Sequence, residues 1–171
     1  AVVFALTDVS ANTFLLRFRS RKEKRVWTLS SERSGVEGIV MPRLRDVGAW
    51  FGMFLIDWSR PVMLVEGEID AMRLMALGYT NVIASATSSV TDAQIDALAA
   101  ETLVLGYDAD AAGKHAHARI RDRVGQKAQV LEVDWSLAKK DGSPCKDAGD
   151  LPDETALREV LRGMWKKREK S

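Results

Sequence analysis

Carboxylates at three separated places in the chain are the residues with the most chemistry to offer. Glu66 follows the apolar run Val62-Met63-Leu64-Val65, Asp108 and Asp110 follow Thr102–Tyr107, and Asp147 and Asp150 stand after Ala128–Val133. Groups at the carboxyl ends of neighbouring parallel strands converge on one crevice. Bare carboxylates brought together repel, and each has its pKa raised. A divalent cation removes that cost, and an all-oxygen donor set selects Mg²⁺, Mn²⁺ or Ca²⁺ over zinc or copper. Mg²⁺ held by few carboxylates and several waters is the usual arrangement for phosphate chemistry. Each cluster alone has an ordinary structural role open to it. An Asp-x-Asp triplet can cap a helix, and Glu66-Gly67 can be a plain turn. Their recurrence on successive strand–helix units is what points to a site.

The elements that must position these groups are legible as an alternation. Val62–Val65, Asn81–Ala84, Thr102–Tyr107 and Ala128–Val133 are short apolar runs of the kind found in buried parallel strands. Between them lie helical patterns. The first runs over Ile69–Leu77 and is closed by Gly78, the second from Thr91-Asp92 to about Ala100 with Thr91 or Ser89 as N-cap, and the third over Ala111–Val124. Asp134–Pro152 reads as loop and Asp153 to about Lys167 as a terminal helix. Strands alternating with helices imply an α/β fold with an open parallel sheet flanked by helices. Ahead of this, Thr13–Phe18 and Arg25–Leu29 predict a β-hairpin around a charged turn at Ser20–Lys24, Ser30–Gly38 reads as loop, and Val47–Trp58 has helical spacing ended by Pro61. The break near Ser59–Pro61 divides the chain into a small basic N-terminal subdomain, 1–60, and an α/β domain with its C-terminal helix, 61–171.

At this point the residues resemble a known family. Val65-Glu66-Gly67-Glu68-Ile69-Asp70-Ala71, followed by Leu105-Gly106-Tyr107-Asp108-Ala109-Asp110-Ala111-Ala112-Gly113-Lys114, looks like the paired signature of the Toprim domain. That domain is shared by bacterial and phage primases, topoisomerases and some nucleases. The string Ser143-Pro144-Cys145-Lys146-Asp147-Ala148-Gly149-Asp150 is similar to a segment of phage primase-helicases, which narrows the resemblance to the primase type. The match covers about Val62 to Leu151. It implies that Glu66, Asp108 and Asp110 are the catalytic and metal-binding carboxylates, with Asp147 a further metal contributor and Mg²⁺ or Mn²⁺ the cofactor. It places Lys114, and by extension Lys146, on a nucleotide phosphate. Asp70, one helical turn past Glu66 on the same face, is suited to ligate or orient through water. Primases of this type precede the domain with a basic subdomain that holds template and nucleotide, and Arg17, Arg19, Arg21, Lys22, Lys24 and Arg25 stand in the right place for it.

The implied function is therefore the catalytic core of a DNA primase, making short RNA primers from ribonucleoside triphosphates on a single-stranded DNA template, with a helicase domain or protein as a further partner. A Toprim-type nuclease or topoisomerase-like fragment is the alternative, and a non-catalytic nucleic-acid-binding module is a second. A topoisomerase needs a nucleophilic tyrosine, and Tyr79 and Tyr107 lie inside the Toprim pattern. The single cysteine, Cys145, cannot build the zinc domain through which replicative primases recognise template, and it reads as an incidental loop thiol. No helicase-type phosphate-binding loop is present. His115 and His117 point in different directions on a helix and read as solvent-exposed, while the five tryptophans read as core or interface, with Trp27 beside the arginines able to stack on a base.

Bulk composition agrees. With 171 residues, 46% hydrophobic and 29% charged, the chain is long enough to bury a core without disulfides. A net charge of +1 conceals a basic N-terminal stretch and basic C-terminal tail around an acidic centre, a distribution suited to a metal enzyme acting on a polyanion. No apolar run is long enough to span a bilayer and no signal peptide opens the chain, so a cytoplasmic setting in a bacterium or for a phage protein is expected. The pattern is already under way at Ala1, which reads as the edge of a longer protein.

Overall fold

The computed structural model describes residues 2–8, 10, 13–20, 22, 26–28, 47–87 and 89–168. Its centre is the expected parallel unit. β5 (Val62–Val65), β6 (Val82–Ala84), β7 (Thr102–Leu105) and β8 (Gln129–Glu132) lie in the spatial order β6-β5-β7-β8, every neighbouring pair parallel. β5 is apolar throughout because both of its faces are covered. Met63 and Val65 face α1 (Glu68–Ala76) and α4 (Glu154–Arg168), while Val62 and Leu64 face α2 (Asp92–Asp96) and α3 (Ala111–Val124). Thr91 caps α2 through a capping box with Gln94. Gly78, at a φ of 89°, follows α1 as expected of a left-handed terminator. α2 stops at Asp96, short of the expected end near Ala100.

The N-terminal strands join the same sheet. β1 (Val2–Thr7), β2 (Thr13–Arg19) and β3 (Val26–Thr28) form an antiparallel ladder in the order β3-β2-β1, and β4 (Trp50–Phe51) links β1 to β6. Among the described residues the result is one eight-stranded sheet, antiparallel at one end and parallel at the other. The expected hairpin is present as β2–β3, with β1 an additional strand. The helix expected over Val47–Trp58 is absent. In its place are β4 and a 3₁₀ turn at Met53–Leu55, because Gly52 takes a φ of 82°, which breaks a helix. Across Ser59–Pro61 the buried Asn81 side chain accepts from the Asp57 N–H and donates to the carbonyls of Asp57 and Pro61. Among the described residues no helix is long and apolar enough to cross a membrane.

Candidate metal centre

Chain connections leave β5 in one direction, through α1 to β6, and leave β7 in the other, through α3 to β8. The carboxyl ends of these adjacent strands are thus a switch point, where an open α/β sheet forms its crevice. Glu66 emerges from β5 and Asp108 from just beyond β7, so backbone topology alone brings them side by side. Burial first, then the charges of Asp108, Asp110 and Asp70, push the Glu66 carboxyl above the usual carboxylate range. Burial, then Asp147, Asp110 and Asp150, does the same to Asp108. The charge of Asp110 thus acts on both Glu66 and Asp108, and that of Asp108 on Glu66.

Asp110 has a second occupation. It is the N-cap of α3, and its Oδ1 accepts the Gly113 N–H at 2.9 Å. Capping and metal-binding readings are compatible, because the cap uses one carboxylate oxygen and leaves the other free. Gly113 is required by this turn: a Cβ there would overlap the Asp108 carbonyl oxygen.

Asp147 arrives by a longer route. The segment expected as plain loop contains a small hairpin, β9 (Lys139–Lys140) with β10 (Ser143–Pro144), and a 3₁₀ turn at Ala148–Asp150. Its attachments draw it onto the site. The Ala109 N–H donates to the Lys146 carbonyl at 3.3 Å, and Arg73 on α1 donates to the Leu151 carbonyl at 3.0 and 2.6 Å and to that of Pro152 at 2.6 Å. Cys145 is no incidental thiol. It is buried in the core with Ala148 and Leu151, and its N–H bonds the Ala138 carbonyl, fixing the segment's base. Trp135 fills the space over Gly106, where a Cβ would meet its ring at 2.9 Å, and its indole donates to the Tyr107 carbonyl. Arg73, Trp135 and Cys145 went unrecognised in sequence; the only available signal was their place beside the acidic motifs.

Asp70 is the hub of this arrangement. At the third position of α1 it accepts the backbone N–H of Gly67, as in a capping box, and that of Gly149 from the incoming segment. Burial, then the charges of Asp147 and Asp108, nevertheless push it up to about 6. In metal-free protein the folded state thus holds this proton more tightly than the unfolded chain. Stability falls as pH rises between the unfolded value near 3.8 and the folded value near 6. Asp70→Asn should remove the fall. Between about pH 4 and pH 7 in chelator, its stability relative to the parent should improve by on the order of 2 kcal/mol, read by denaturant titration. A difference independent of pH would refute the assignment.

Among the described residues, no three His, Cys, Asp or Glu side chains close on one point tightly enough to ligate an ion together. An all-protein cage is therefore not built here. The donor set fits a hydrated Mg²⁺ or Mn²⁺ held by one or two carboxylates, since the groups are oxygen-only and mutually repelling. Lys114 is exposed and lines, with Asp108, a cleft of about 730 Å³ between α3 and α4. Lys146 is exposed with its N–H on Asp150 Oδ2. His115 is exposed as expected, but His117 is half-buried, 3.4 Å from Glu132 and edge-on to Tyr107, and burial lowers its pKa. Trp50 and Trp135 are core residues.

Of the basic segment, Arg19 and Lys22 are exposed. Arg17 is not presented with them: its guanidinium lies inward, 3.3 Å from the buried Glu68 carboxylate. Arg21, Lys24 and Arg25, the loop Ser30–Gly38 and the end of the basic tail lie outside the described residues, as does the Trp27 side chain.

Comparison with known proteins shows the family and the fold. A DNA primase of Lactococcus lactis is 36% identical over 85 residues, 48% of this chain and 13% of that protein. The primase fragment of the bacteriophage T7 primase-helicase superposes with a TM-score of 0.67 at 22% identity, covering 95% of this chain and 62% of that one. A primase catalytic domain bound to single-stranded DNA gives 0.67 at 17% identity, covering 95% and 51%. The chain therefore spans only part of each protein it resembles, and the structural likenesses establish the fold. The sequence matches the family described as Toprim-like over residues 63–149, just over half of its length, and the chain belongs to that family.

Proposed function

We propose that this chain is the catalytic core of a DNA primase, joining ribonucleotides on a single-stranded DNA template. The observation that carries the reading is the convergence of Glu66 and Asp108 at the β5/β7 switch point, with Asp70, Asp110 and Asp147 close enough to perturb them. Similarity to the Lactococcus primase and to the DNA-bound primase domain supports primer synthesis over the other activities of Toprim proteins.

In this reading one or two of Asp108, Asp110, Glu66 and Asp147 would ligate hydrated Mg²⁺ or Mn²⁺ directly and the others through its waters, and the bound ion would supply stabilisation of the charge that develops in nucleotidyl transfer. Glu66, its pKa raised by burial, is suited to receive the proton of the attacking hydroxyl. Lys114 and Lys146 neutralise triphosphate charge, and Asp70, accepting the N–H groups of Gly67 and Gly149, ties the turn after Glu66 to the segment that carries Asp147. A helicase, fused or separate, would supply the single strand, in a cytoplasmic setting.

Incubation with single-stranded templates, labelled ribonucleotides and Mg²⁺ or Mn²⁺ should yield short RNA products. Shortened DNA with no RNA would establish the nuclease alternative, and neither product the binding-module one. Template holding is assigned to Arg19 and Lys22. Because phosphate contacts on single strands give a salt slope of roughly −0.7 each, Arg19→Ala/Lys22→Ala should flatten the slope by about 1 to 1.5. Fluorescence anisotropy over a salt titration measures it, and an unchanged slope removes both residues from the template path.

A further inference from the structure

We infer that the buried Arg17–Glu68 ion pair is a positioning device for the metal centre, fixing the first turn of α1, and through it Glu66 and Asp70, against the antiparallel half of the sheet. The inference rests on the metal-centre reading above. Glu68 is the first residue of α1, two residues from Glu66 and two from Asp70. Its side chain is only 6% exposed, and that of Arg17 is 14% exposed. Charged side chains are seldom buried this far without a reason.

Arg17 reaches Glu68 from β2, well outside the parallel unit. In the ladder it stands opposite Phe4, whose ring packs edge-on against Phe51 at 5.7 Å. The guanidinium therefore shares a face with buried aromatics, where a bare charge is costly. As a stability device the pair is poor. Arg17 Nε and Nη1 and Glu68 Oε1 are buried without an aligned hydrogen bond among the described residues, so desolvation is incompletely compensated. Two apolar side chains of similar volume would hold the same surfaces together as well or better.

What the ion pair does, and an apolar pair would not, is set direction and charge. It fixes where the α1 N-terminus sits relative to β2. It also neutralises a carboxylate that would otherwise add to the repulsion among Glu66, Asp70 and Asp108. Arg17 acts through Glu68 and the turn it begins, and touches no reacting group.

The test is Mn²⁺ binding, followed by the electron paramagnetic resonance of the free ion, in Arg17→Met, Arg17→Lys and Glu68→Gln, beside single-strand affinity without metal. Arg17→Met and Glu68→Gln should weaken Mn²⁺ binding roughly tenfold, the lower end of what losing a supporting interaction behind a metal ligand costs. Near-UV circular dichroism should stay native, and Arg17→Lys should recover much of the loss. The salt slope for DNA should not change in Arg17→Met. Should that variant not fold, Glu68→Gln, which keeps the volume, carries the test. Parental Mn²⁺ affinity in folded Glu68→Gln overturns the inference, and so does a flattened salt slope in Arg17→Met, which would make Arg17 a template contact. Asp108→Asn separates the positioning role from the metal centre itself. If it abolishes Mn²⁺ binding while the Arg17 and Glu68 variants keep it, only the positioning role falls; if binding survives Asp108→Asn, the metal centre falls as well.

Discussion

Asp108→Asn is expected to reduce primer synthesis by roughly a thousandfold, the upper range for deleting one preorganised charge-stabilising group, while leaving the metal-free fold as stable as the parent or more so. Burial first, and then the charges of Asp147 and Asp110, raise the pKa of this half-buried side chain, so neutralising it removes a desolvation cost and relieves repulsion in the absence of a cation. Asp110 divides the question more finely, because it is also the α3 N-cap. Asparagine caps a helix as well as aspartate does, so Asp110→Asn removes charge and keeps the cap, whereas Asp110→Ala removes both at a cost of about 1 kcal/mol. Loss of activity in both variants, with loss of stability in the alanine variant alone, is the result expected if Asp110 works for the metal as well as for the helix. Full activity in Asp110→Asn would reduce it to a cap. Primer assays paired with chemical denaturation in chelator read both quantities.

Gly113→Ala should destabilise the protein by about 3 kcal/mol, the top of the usual overpacking range. Helix propensity alone predicts the opposite, since alanine in place of an internal helical glycine ordinarily gains up to about 1 kcal/mol. The sign is decided by contact. The new methyl would overlap the Asp108 carbonyl oxygen, a backbone atom that cannot rotate away. Relief requires the turn from Asp108 to Asp110 to move, so metal affinity should fall with stability. Equilibrium unfolding checks the first effect and Mn²⁺ titration the second. A gain in stability would show that the turn adapts freely and is no rigid support for Asp108.

How much of this was visible in the residues depends on how local each feature is. Val62–Val65 and Thr102–Leu105 are short, apolar and followed by acids, so strand identity and the carboxyl-end placement of Glu66 and Asp108 could be read directly. Ala111–Val124, with Asp110 before it, marked its own start. Periodicity misled over Val47–Trp58, where Gly52 at positive φ, a two-residue pairing to β1 and a one-residue pairing to β6 made a strand of a helical pattern.

The sequence by itself determined where the acidic groups stand: a chain that places Glu66, Asp108 and Asp110 after buried strands sets carboxylates at the carboxyl ends of those strands, because strand polarity and helix capping are short-range properties. Only the tertiary structure decided how the crevice between them is held. Asp147 reaches it through a backbone bond between Ala109 and Lys146, through Arg73 on the Leu151 and Pro152 carbonyls, and through Asp70 on the Gly149 N–H. Arg17, one of six cations in a basic run, turned out to face inward to Glu68. These contacts join residues some forty to eighty positions apart, and no spacing rule reaches so far. They depend on strand order and on which faces of the sheet are covered, and those are settled when the whole core packs.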